Sequence, residues 1–240
     1  CLSKARLVAI AAPRNHAKTG CITHAYLLAS LLFREADFAM IVSDTEQQAK
    51  DFLKDITIDL TSNDDLIELF QISGFEKETE SEIIVRFKDG ALFKVLAKGA
   101  GQKVRGLKWN QKRPNLIVID DLENDENVNT KEQRVKLKRW INGALIPCMG
   151  TTGRLRAVGT VIHSDSWLAG TLPDENSPLT IHRPLKVYSN VPSNGWLSAK
   201  YRAHPGVGDY SQFLWESHLG EQFYREEYSR ALADGMVDVY

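Results

Sequence analysis

Residues 7–20 read LVAIAAPRNHAKTG, and the fold turns on how that stretch is parsed. Its first six residues are continuously apolar, as in a strand buried on both faces. Pro13 breaks the run, and residues 13–19 form a polar loop. Residues 20–35 then place Ala25, Leu28, Ala29, Leu32 and Phe33 on one face of a helix. Residues 12–19, APRNHAKT, match the spacing of the phosphate-loop pattern G-x-x-x-x-G-K-[ST], with alanine at both glycine positions. Such a loop turns its backbone N–H groups onto phosphate oxygens, and the helix behind it aims its positive end at the same place. Lys18 would then sit on the β- and γ-phosphates of a nucleotide and Thr19 on Mg²⁺. Arg14, Asn15, His16 and Ala17 complete the candidate cofactor-binding loop. Glycine tolerates positive φ, so an alanine in its place costs on the order of 1 kcal/mol where the backbone is left-handed.

Outward from this loop, apolar runs alternate with helical periods. Residues 38–43 (FAMIVS) predict a second buried strand, and residues 45–60 a helix capped by Ser43 or Asp44. Residues 64–70 read as a short helix. Residues 83–87 and 92–97 flank Asp89-Gly90, a hairpin signal. Residues 99–114 show no period and read as a loop. Residues 116–119 are a third buried strand, 130–145 a helix, and 156–159 another strand. Ser164 caps a short helix through residue 172, and 181–187 form a further strand. Residues 191–208 carry Pro, Gly and Ser and read as irregular, and 219–233 as a charged terminal helix. The alternation predicts an α/β domain with a mostly parallel sheet, whose ligands sit at the carboxyl ends of strands.

Two further strand ends carry polar chemistry. Residues 116–123, LIVIDDLE, form an apolar strand that ends in carboxylates, the Walker B arrangement. Asp120 would hold the metal shell, and Asp121 or Glu123 would orient or deprotonate the attacking water. Val158-Gly159-Thr160-Val161-Ile162-His163 places a hydroxyl at another strand end, where Thr160 could hydrogen-bond the γ-phosphate or its water.

Taken in order, APRNHAKT, LIVIDDLE and VGTVIHSDSWL resemble the ATPase domain of the large terminase subunit of tailed bacteriophages. The stretch VRGLKWNQKRPNLIVIDDLE (residues 104–123), Leu-Trp-Glu at 214–216 and the Phe- and Tyr-bearing helix at 223–228 add to the likeness. The resemblance implies a P-loop NTPase fold of the ASCE (RecA-like) type, with an extra strand between the Walker A and Walker B strands. It implies hydrolysis of ATP with Mg²⁺, driving double-stranded DNA into a viral procapsid. By the same resemblance, partners are the portal protein, a small terminase subunit and further copies in a homo-oligomeric ring, with the isolated chain monomeric. The place of action is the portal vertex in the host bacterial cytoplasm. Residues 1–208 would form the ATPase core, and 209–240 a helical linker towards a nuclease domain that this chain lacks. An arginine finger is expected, Arg105 in trans or Arg14 in cis. Rival readings are a helicase-like translocase and a non-catalytic nucleotide-binding scaffold.

Composition limits the alternatives. In 240 residues, 43% are hydrophobic and 25% charged, and 30 basic side chains face 31 acidic ones for a net charge of −1. That excludes a uniformly basic nucleic-acid binder while leaving room for a local patch. Residues 98–113 hold Lys98, Lys103, Arg105, Lys108, Lys112 and Arg113 with no acid, and residues 131–139 add five basic residues. Both could track DNA phosphates. Three scattered cysteines and six histidines show no metal-ligand spacing. No apolar run is long enough to span a bilayer, so no membrane partner is expected. The chain begins at Cys1 rather than Met and a strand-like run starts at once, which points to a fragment.

Overall fold

The computed structural model describes residues 5–189, 192, 195–205 and 211–233. Cys1 and the expected boundary at residues 208 and 209 lie outside them. In chain order the elements are β1 (Leu7–Ala11), a π-helical turn (Thr19–Tyr26) running into α1 (Leu27–Leu32), β2 (Phe38–Ser43), α2 (Glu46–Ser62) and α3 (Asp64–Phe70). Then come β3 (Ile72–Thr79), β4 (Glu82–Phe87), β5 (Leu92–Gly99), β6 (Leu116–Asp120), α4 (Asp125–Val128) and α5 (Lys131–Trp140). A second π-helical turn (Ile141–Leu145) leads into α6 (Ile146–Cys148) and β7 (Arg154–Gly159). The chain continues through β8 (Thr180–Arg183), β9 (Lys186–Ser189), β10 (Leu197–Tyr201) and α7 (Glu221–Ala233).

The ten strands among the described residues join one sheet in the order β3-β4-β5-β2-β6-β7-β1-β10-β9-β8. The six central strands, β5 to β10 in that order, pair in parallel, and an antiparallel extension flanks each side. β7 lies between β1 and β6, the inserted strand that the resemblance implied. The chain is therefore an α/β protein of P-loop architecture.

The continuous apolar runs have a physical reason. Every residue of β2 and of β6 is buried, because helices cover both faces of the sheet. Alternate residues divide between two cores. Phe38, Met40, Val42, Ile117 and Ile119 pack with Leu137, Ile141 and Leu145 on one face. Ala39, Ile41, Leu116 and Val118 pack with Leu27, Leu31, Leu53 and Ile56 on the other. Gly99 ends β5 where a Cβ would come within 2.5 Å of Glu46 N, so the start of α2 sits directly on that strand end.

Several expectations are corrected. The cap of α2 is Thr45, whose hydroxyl accepts from Gln48 N, and not Ser43 or Asp44. Ser43 is the last residue of β2 and its hydroxyl is turned into the sheet. The single strand expected at 181–187 is a hairpin, β8 and β9. The short helix expected after Ser164 is a set of turns with one 3₁₀ turn, Ala169–Thr171. β10 occupies residues expected to be irregular, and it pairs with β1. β3 is an additional edge strand against β4. Trp109 packs edge-on against Phe38. Cys21 and Cys148 are free thiols, and burial pushes Cys148 up to about 11. No helix among the described residues is long and apolar enough to cross a membrane.

Candidate functional site

The carboxyl ends of β1, β2, β6 and β7 open into one cleft of about 530 Å³. Its walls include Arg14, Asn15, His16, Ala17, Lys18 and Thr19 from the loop after β1. Asp121 and Glu123 come from the end of β6, and Thr160 from the end of β7. Six loop residues and three strand-end residues named from sequence thus share one space.

The loop owes its shape to left-handed backbone. Asn15 (φ 61°) and Ala17 (φ 51°) both adopt it, and Ala17 stands at the second glycine position of the motif. Ala12, at the first position, does not. The π-helical turn begins at Thr19, and Cys21 N donates back to Ala17 O at 2.9 Å. Lys18 Nζ donates to Pro13 O at 3.0 Å and to Thr160 Oγ1 at 2.9 Å. Burial holds its ammonium below the usual lysine value, and the charges of Asp121 and Asp120 partly offset that. Thr160 is fixed as well: its hydroxyl donates to Ala12 O, and its backbone N–H donates to Asp121 Oδ1 at 3.2 Å. A Cβ on Gly159 would come within 3.0 Å of Leu168 Cδ2 and 3.4 Å of Asp121 Oδ1, so a side chain there would press on both.

Asp120 and Asp121 have different surroundings. Asp120 is fully buried. Its Oδ2 accepts from Thr23 Oγ1 at 2.5 Å, and the nearby Thr19 hydroxyl also favours its charged form. Oδ1 has no partner among the described residues. Burial raises its pKa above the ordinary aspartate value, opposed by those hydroxyls. A buried carboxylate with one oxygen unpartnered, beside a hydroxyl at the head of a helix, is a donor set that suits a divalent cation. Asp121, in left-handed backbone (φ 40°), turns out of the strand into the cleft.

Glu123 reaches the cleft edge with both oxygens engaged. Oε1 accepts from Trp167 N at 2.6 Å and Oε2 from Leu168 N at 2.9 Å. It ties the end of β6 to the segment after Thr160, where Trp167 packs edge-on against Trp196. Arg105 is not part of this cleft. It is exposed, and its Nη2 donates to Gly143 O at 3.0 Å. Arg14 lies in the cleft wall. His16 faces the C-terminal segment: Nε2 is 3.4 Å from Tyr224 Oη, and the ring lies 6.5 Å from Trp215.

The cleft also holds residues the motifs do not name. Asp44 and Gln48 line it from the end of β2 and the first turn of α2, and Asn124 and Asp125 from the start of α4. Asp44 Oδ2 accepts from Asn124 Nδ2 at 2.9 Å. The rule that ligands sit at strand carboxyl ends applies equally to the run FAMIVS, so Ser43-Asp44 carries a usable signal.

Comparison with solved structures places the architecture. The large terminase ATPase domain of Thermus phage P74-26 superposes with a TM-score of 0.59 over 96% of this chain and 83% of that one, at 13% identity. The fold is that of a large terminase ATPase domain. The terminase fold recurs in the large terminase of a thermophilic bacteriophage, with a TM-score of 0.54 at 11% identity. That match covers 93% of this chain and 45% of the other. No protein-family model and no curated protein sequence matches the chain.

Proposed function

We propose that the chain is an ATP-hydrolysing motor domain that drives double-stranded DNA into a viral procapsid. One observation carries the reading: Lys18, Thr160 and Asp121, from three strand ends, converge on one cleft behind a left-handed loop, with Asp120 buried in the strand end next to Asp121. The loop N–H groups and Lys18 bind the β- and γ-phosphates. Thr19 and Asp120 would hold Mg²⁺, which would supply positive charge against those phosphates when bound. Asp121 has one oxygen bound to Thr160 N, leaving Oδ2 to accept a proton from water. The water oxygen bonds to the γ-phosphorus as the bond to the bridging oxygen breaks. That oxygen keeps the electron pair and leaves with ADP. Thr160, touching both Lys18 and Asp121, reports the presence of the γ-phosphate. Glu123 positions the segment after Thr160.

Residues 1–208 act as the motor core and 209–240 as a linker. Arg105, exposed and remote from its own cleft, suits a finger offered to a neighbouring copy in a ring, and Arg14 the same role in cis. Lys103, Lys108, Lys131, Lys136 and Arg139 are exposed and have no ion pair among the described residues. Arg134 and Lys138 are held by Asp165. The loop and α5 are joined by Trp140 Nε1 donating to Gln102 O, so those five cations form the surface offered to DNA phosphates. The portal protein and small terminase subunit are the further partners, at the portal vertex in the host cytoplasm. The test is Mg²⁺-dependent ATP turnover, which Lys18→Ala should abolish with the fold intact. Undiminished turnover in that variant would overturn the assignment.

A further inference from the structure

The cleft wall supplied by β2 and α2 contains a polar side chain with no role so far. Gln48 sits in the first turn of α2, where side chains lean back towards the helix N-terminus. Its Oε1 lies 2.6 Å from Ser43 Oγ and Asp120 O lies 2.8 Å from it, the two oxygens sharing the one proton that this hydroxyl donates. Ser43 is fully buried, so the link is not exchanged with bulk water. Gln48 N is held by Thr45 Oγ1 at 3.2 Å. The amide is thus anchored to the strand end that carries both candidate aspartates. With Oε1 engaged, its NH₂ has no partner among the described residues, and the side chain lines the same space as Lys18, Thr19, Asp121 and Thr160.

The Asp44 and Glu123 carboxylates in the same wall are already committed. Both Asp44 oxygens accept, from Thr45 N and Asn124 Nδ2. Both Glu123 oxygens accept backbone N–H groups. Gln48 therefore brings an uncharged donor to a rim otherwise rich in carboxylates. A fixed donor is what a transferring phosphoryl group needs, because negative charge spreads over its equatorial oxygens in the transition state. A carboxylate at the same place would repel it.

We infer that Gln48 is a further catalytic residue, donating its amide N–H to the γ-phosphoryl group during transfer, with Ser43 as its positioning residue. This rests on the ATPase reading above. The test compares the unaltered chain with Gln48→Ala, Gln48→Glu, Ser43→Ala and Lys18→Ala for ATP turnover and for binding of ADP and of ADP with aluminium fluoride. Loss of one such donor should lower kcat by about 100-fold in Gln48→Ala and Gln48→Glu. ADP affinity should stay within about threefold, while the tighter binding of the aluminium fluoride complex is lost. Ser43→Ala should give a smaller loss with the same split. Turnover abolished in Lys18→Ala but retained in Gln48→Ala overturns this inference alone. An equal loss of ADP and aluminium fluoride binding in the Gln48 variants overturns it too, by showing a merely structural role. Failure of the unaltered chain to bind or hydrolyse nucleotide overturns both readings.

Discussion

Lys18 Nζ lies 2.9 Å from Thr160 Oγ1, across 142 residues of sequence. The contact joins the loop after β1 to the end of β7, strands that are neighbours in the sheet. Thr160 is therefore placed to feel any change at the lysine and to pass it to Asp121 through its own N–H. Thr160→Val keeps the shape and removes the hydroxyl. A hydrogen bond to a charged group contributes about 1.5–3 kcal/mol, so kcat should fall roughly 10- to 100-fold. Thr160→Ser should restore most of it. Steady-state ATP turnover on the three proteins decides the point.

Glu123 and Asp121 should separate in the same assay. Glu123 accepts two backbone N–H bonds, and a glutamine in its place would present an NH₂ to one of them. Glu123→Gln should therefore cost about 1–3 kcal/mol of stability, read from urea unfolding. Asp121→Asn keeps an oxygen for Thr160 N and should be stability-neutral. Its loss should fall on kcat, by about 10²–10⁴-fold, as expected for removal of a general base. The reverse pattern would give the water-activating role to Glu123.

The parts of this fold that are legible in sequence are those that depend on continuous burial. β1, β2 and β6 show themselves as apolar runs because both of their faces are covered. β3 does not: only Ile72 of its eight residues is buried, so ISGFEKET has no run or alternation to follow. β10 is formed by non-local pairing with β1, which the local Pro, Gly and Ser content obscures. The cleft follows the same division. Lys18, Thr19, Asp120, Asp121 and Thr160 are carried by motifs at strand ends. The destination of the Glu123 carboxyl depends on backbone N–H groups at Trp167 and Leu168, which side-chain identity does not encode. Gln48 becomes visible only when α2 brings it back over the end of β2.

The two alanines of the loop should respond oppositely to glycine. Ala17 has φ 51°, a left-handed conformation that costs an L-residue about 1–2 kcal/mol. Glycine removes that strain and returns about 0.4–1 kcal/mol through the freer unfolded chain. Ala17→Gly should therefore raise stability by up to about 1 kcal/mol. Ala12 is not left-handed, so Ala12→Gly should lower stability by about 0.4–1 kcal/mol. Denaturant midpoints of the two variants, side by side, test the assignment of Ala17 to the second glycine position.

Asp120 should trade stability for function. Burial raises its folded pKa above the unfolded aspartate value of 3.8. Between those two values the folded chain binds more protons than the unfolded one, so stability falls as pH rises through that window. Above it the charged form persists at a fixed cost, with Oδ1 unpartnered. Asp120→Asn removes the charge and keeps an acceptor for Thr23, so it should stabilise the chain by about 1 kcal/mol at pH 7. The contribution of this group to the pH dependence above 3.8 should vanish, and ATP turnover should be lost. A divalent cation should act on the same group from the other side. Mg²⁺ should raise the melting temperature of the unaltered chain by binding only the folded form, and should leave Asp120→Asn unmoved. An equal Mg²⁺ shift in both proteins would place the cation elsewhere.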